Sequence, residues 1–179
     1  MTTTHFRPAD YGPAVARLLG EPRVAELGPG SLDPTARVAL RAFDPLTDLG
    51  GKVVSREFAL ACHSGLWLYH DGLDESHTIS QDLPSAEGSF WHAIMHRREP
   101  DAFNSKYWWR RVGPHPVLDR LREQALALGY AFTTPEAFVD VCERVRGRGG
   151  ADEELAKRVQ LLEWQLLFDW CYRKAVGEQ

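Results

Sequence analysis

Cysteine is scarce in this chain. Cys62, Cys142 and Cys171 are far apart, odd in number and without a CxxC spacing, so neither a disulfide framework nor a zinc ribbon is expected. Each is expected to behave as a small buried apolar residue. Long apolar runs are missing as well, since nothing approaches the roughly 18 residues of a membrane span. The segment Met1 to Arg7 lacks the apolar stretch of a secretory signal, so the expected location is the cytoplasm, with no membrane partner. An excess of positive charge is also absent. A formal net charge of −4 argues against a general nucleic-acid binder, which needs a basic surface to displace counterions from phosphates.

Two-residue alternation bounded by hairpin turns is lacking, and Lys52-Val53-Val54 is too short to change the class. No Gly-x-Ser-x-Gly elbow, no glycine-rich phosphate loop and no cysteine beside a plausible base is present, which removes the usual sequence support for nucleophilic catalysis.

What is present is helical punctuation. A chain of 179 residues that is 44% hydrophobic can bury one sizeable core, so residues 1–179 are expected to form a single all-α domain. Asp33-Pro34 reads as an N-cap followed by proline at the first helical position and opens a helix through Ala42. Thr134-Pro135 opens another to about Arg146, stopped by Gly147 to Gly150. Ser55 to His70, Glu87 to Glu99, Asp101 to Val112 and Pro116 to Leu128 carry apolar residues at three- and four-residue spacing, with Pro84, Pro100, Pro114 and Pro116 at their junctions. The helix from Asp152 to about Ala175 is the longest, with Leu155, Val159, Leu162, Leu166, Phe168 and Trp170 as its packing face. Residues 1–32 are partly irregular, reading as a short helix from Tyr11 to Leu19 and then a surface loop through Gly28-Pro29-Gly30. Short loops imply antiparallel helical hairpins, either an irregular bundle or a repeat array.

Sliding the chain by 29 residues places His63 on His92, Glu75 on Asn104 and Ser76 on Ser105. The second copy, Trp91 to Gly113, resembles a tetratricopeptide-type hairpin. That resemblance implies small Ala93 where the helices cross, Pro100-Asp101 at the turn, Ser105 as the small residue of the second helix and Trp109 filling the gap. The same segment, with His-Arg-x-Glu followed by Asn-x-x-Tyr-Trp-x-Arg-Arg, is similar to uncharacterised bacterial and fungal helical proteins. This second likeness implies a helical fold and brings no activity.

Chemistry-bearing residues concentrate between His63 and His115. His92 and His96 are four apart and Glu99 is three further, so all three project from one helix face. A divalent metal could use that face, although the HExxH arrangement is absent. Asn104, Tyr107, Trp108 and Arg111 form a stripe on the next helix that is expected to face the first. Together these seven are the candidate site for a small ligand, anions included, or a protein partner, and they equally suit a buried polar network. Arg97, Arg98, Lys106, Arg110 and Arg111, with the rings of Tyr107, Trp108 and Trp109, supply the ingredients of an anion or nucleotide site or of a charged surface. His63 and His70 share a face of the preceding helix, while Asp71, Asp74, Glu75 and His77 crowd the following turn; these could complete a multi-histidine, carboxylate-rich cluster, or Asp74 could be the N-cap of a short helix carrying Glu75 in its first turn.

The leading reading is therefore binding of a partner or small ligand. The rival is a metal-dependent hydrolase or oxygenase with His63, His70, His92, His96 and Glu99 as ligands. A third possibility is a homo-oligomer assembled through some of the six tryptophans.

Overall fold

The computed structural model describes residues 6–178, and among them are nine α-helices and no strand. In chain order these are α1 (Pro13–Leu19), α2 (Pro34–Ala42), α3 (Arg56–Tyr69), α4 (Leu73–Ser80), α5 (Ala86–Arg98), α6 (Ala102–Val112), α7 (Pro116–Ala125), α8 (Pro135–Val145) and α9 (Ala151–Val176). Short 3-10 turns lie at Pro8–Tyr11 and Leu126–Leu128.

The starts follow from capping chemistry. A helix leaves its first backbone N–H groups without partners, and a short polar side chain can accept from them. Asp33 accepts from the Thr35 and Ala36 amides at 2.8 and 3.0 Å, Ser85 from Gly88 at 3.2 Å, Asp101 from Asn104 at 3.0 Å and Thr134 from Ala137 at 3.1 Å. α4 departs from the expected pattern. Its N-cap is Gly72, and Asp74 and Glu75 occupy the first turn, where the helix dipole favours negative charge.

One continuous core runs from Tyr11 to Ala175, and Cys62, Cys142 and Cys171 are buried in it as free thiols. α9 passes through the middle, against α3, α7 and α8. Its burial is consequently not confined to one stripe, because Gln160, Glu163 and Asp169 are buried along with Val159, Leu166 and Phe168. Among the described residues no helix is long and apolar enough to cross a membrane.

Close approach of α3, α5 and α9 depends on Gly65. Its carbonyl accepts from the Trp164 indole N–H at 2.8 Å, and a methyl group built on its Cα would fall 2.7 Å from the ring of Trp91. Because overpacking a dense core forces neighbours off their rotamers, Gly65→Ala is expected to cost about 1–3 kcal/mol in chemical denaturation. An unchanged midpoint would show that Trp91 has room to move.

The N-terminal region differs from expectation in two ways. The helix predicted from Tyr11 is interrupted at Gly12, where φ is 96° and the backbone lies against Gly50, so that a methyl group there would sit 2.4 Å from the Gly50 Cα. The segment after Leu19 is also more than a surface loop, since Leu27 is fully buried. Arg146 donates to the Leu27 carbonyl at 3.2 Å, Arg98 to Gly28 at 3.1 Å and Pro29 at 3.4 Å, and Gln160 to Glu26 at 3.1 Å. An irregular backbone has no ladder of its own, so long side chains satisfy its buried carbonyls.

Candidate functional site

α5 and α6 pack along one another with residues meeting in reversed order. Phe90 lies edge-on to Trp109 at 4.6 Å, Ser105 donates to the Ala93 carbonyl at 2.8 Å, and the Asp101 amide donates to the His96 carbonyl at 2.9 Å. α4 packs on α5 as well, and that contact builds the site.

His77 of α4 meets His92 and His96 of α5. The ring centroids are 4.5 Å apart for His77 and His92, 5.5 Å for His77 and His96, and 4.8 Å for His92 and His96. Each ring offers one nitrogen such that the three donor atoms lie within 4.8 Å of one another. A zinc ion with N–Zn bonds of about 2.0–2.1 Å would require donor separations of about 3.4 Å, so loading the site means inward ring movements of about 1 Å.

Neighbouring groups engage one ring nitrogen of each α5 histidine. The Ser80 hydroxyl lies 3.3 Å from both the His77 carbonyl and His92 Nδ1, and its one proton can go to either. The Glu99 carboxylate, an acceptor only when ionised, takes a hydrogen bond from His96 Nδ1 at 3.0 Å. Nδ1 is thus the engaged nitrogen of both α5 imidazoles, and at His96 it carries the proton; outer-shell partners hold metal-binding histidines in the same way, through the nitrogen opposite the ion. Burial, reinforced by the neighbouring rings of His77 and His96, pushes the pKa of His92 down to about 3. Burial also lowers that of His96, against the opposing pull of Glu99. Neutral imidazole is the form that binds metal.

The other expected site residues distribute differently. Trp108 does face the first stripe, stacking on His92 with centroids 4.0 Å apart, and Arg111 covers Trp108 at 5.2 Å from its ring. Asn104 turns instead to Asp101, donating to its carboxylate at 2.7 Å, and Tyr107 is exposed, edge-on to Trp108 at 5.5 Å. Phe103, one turn before Tyr107, is also exposed.

His63 and His70 are not brought to this cluster. Their Nε2 atoms donate to the carbonyls of Leu40 at 3.1 Å and Leu18 at 2.7 Å, which ties them to α2 and α1. Nor do the five basic residues form one patch. Arg97 is buried against Glu163 and Arg98 against Asp71, while Lys106 pairs with Asp140 at 2.5 Å. Asp71, expected beside Asp74 and Glu75, is held between Arg98 and Arg23 at 2.5 and 2.7 Å, and Glu75 sits 3.6 Å from Arg37.

His77, which the sequence places among residues that could complete a multi-histidine cluster but outside the five-residue ligand set, is the third ring here. The available signal was its position 15 residues before His92, which becomes meaningful only once α4 is known to fold back on α5. Comparison of the chain with family models, curated proteins and solved structures finds no match.

Proposed function

We propose that this protein binds one divalent transition-metal ion through His77, His92 and His96. The observation that carries this reading is the convergence of three imidazoles from two helices, two of them with Nδ1 already engaged by Ser80 and Glu99. A set of neutral nitrogen donors suits zinc, copper, nickel, cobalt or iron, and it is unsuited to magnesium or calcium, which take oxygen ligands. The His63 and His70 positions of the expected ligand set are replaced by His77, and Glu99 supports a ligand.

Elemental analysis of protein purified without chelator or affinity metal tests the reading. Close to one ion per chain is expected, or one after incubation with zinc and desalting. His77→Ala and His92→Ala/His96→Ala should lose it while keeping the helical circular dichroism of the parent. Absence of any bound ion from the parent after loading, or equal retention by both variants, would overturn the assignment.

A further inference from the structure

The metal assignment leaves the ion's remaining coordination position and its charge undefined, and the geometry around Glu99 bears on both. Glu99 is the N-terminal neighbour of Pro100 at the end of α5, three residues beyond His96, with its side chain half exposed. Its Oε2 is held at His96 Nδ1. In an imidazole ring Nδ1 and Nε2 point outward in divergent directions, so a carboxylate seated on Nδ1 is separated from an ion on Nε2 by the ring itself. Ser80 occupies the corresponding position on His92. Asp101, the next carboxylate along the chain, accepts from the Asn104 amide and from its side-chain nitrogen at 3.0 and 2.7 Å. Among the described residues, the donor cluster therefore contains three histidines and no carboxylate.

We infer, resting on the metal reading above, that Glu99 stays outside the coordination sphere as a positioning residue for His96, and that the fourth coordination position is open to water or a small anion. Three uncharged ligands leave the ion its full double charge, which favours an anionic fourth partner such as hydroxide, azide or a carboxylate. Structural tetrahedral sites are filled by four protein ligands, whereas three ligands with one exchangeable position characterise sites that activate water or bind substrate. Partial exposure of His77 and of the Glu99 side chain places solvent at the edge of the cluster.

Cobalt(II) substitution followed by azide titration tests this on the full chain. Visible absorption reports cobalt coordination, and azide entering an open position shifts it saturably. The parent and Glu99→Gln should both respond. Glu99→Ala should bind cobalt about 10–100-fold more weakly in chelator competition, the cost typical of losing an outer-shell partner, with Glu99→Gln recovering part of the loss because its amide oxygen can still accept from Nδ1. A parent spectrum indifferent to azide, alongside a responsive Glu99→Gln, would make Glu99 the fourth ligand and overturn the inference. Indifference in both would do so by showing a closed site. Failure of the parent to bind cobalt at all would remove the metal reading itself.

Discussion

Glu163→Ala is expected to destabilise the protein by about 3–5 kcal/mol, the range found when one partner of a buried ion pair is removed. Arg97 and Glu163 are both fully buried and meet through two contacts, Nη1 to Oε1 at 3.3 Å and Nη2 to Oε2 at 2.5 Å. The guanidinium lies 4.7 Å from the ring of Phe138, and its Nε has no hydrogen-bond partner among the described residues. Deleting the carboxylate would leave a positive charge stranded among apolar groups with nothing to replace water. The cost belongs mostly to the stranded charge, so replacing both partners separates it from the value of the pair. Arg97→Met/Glu163→Leu should recover most of the loss, because two apolar side chains of similar volume need no solvation. Urea denaturation at neutral pH measures both. A loss below about 1 kcal/mol for Glu163→Ala would mean that water reaches Arg97.

The second large effect is a dependence on acid. Burial depresses the pKa of His63, His70, His92 and His96 in the folded chain, for His92 from 6.5 to about 3. Hydrogen bonds to the Leu40 and Leu18 carbonyls oppose the shift at His63 and His70, as Glu99 does at His96, without cancelling it. The unfolded chain takes up protons on these groups near pH 6.5 while the folded chain does not, so the unfolded state binds more protons and stability rises with pH through that interval. The metal-free protein should therefore be most stable above pH 6.5 and lose stability steadily as pH falls toward 3. Asp33 and Asp101, whose carboxyls are held low first by the backbone amides of Ala36 and Asn104, add to the loss only below their ordinary value of 3.8. Denaturation midpoints measured in chelator between pH 7.5 and 5.5 isolate the histidine contribution, because Glu87 and Glu153, also held below their ordinary 4.5, add their losses mainly at lower pH. A His92→Gln protein that still folds should show a shallower slope, by about one proton. A flat profile over that interval would show that these rings titrate normally when folded.

Much of the architecture is legible from local chemistry. Asp33, Ser85, Asp101 and Thr134 each cap the helix that follows, because capping depends on the few residues around it. The pairing of His92 with His96 is equally local, being set by helical periodicity. His77 shows where that reasoning stops. Its place at the cluster depends on α4 packing against α5, a contact across a turn whose course local propensities do not determine. His63 and His70 fail for the mirror-image reason, since His63 lies on α3 and His70 at its C-cap, where their rings meet the backbone of α2 and α1.

Arg97 and Arg98 make the point most sharply. Adjacent basic residues on a helix read as surface, because burying an unpaired charge is prohibitive. Here Glu163 arrives from α9, 66 positions away, and Asp71 from the turn after α3, each supplying the missing charge. By itself the sequence determined an all-helical chain, the starts of most helices and the shared face of His92 and His96, since all of these follow from interactions within a few residues. Only the tertiary structure decided which histidine joins that pair, which arginines lie inside and which backbone segment they hold, because each depends on groups far apart in the chain being brought within hydrogen-bonding distance.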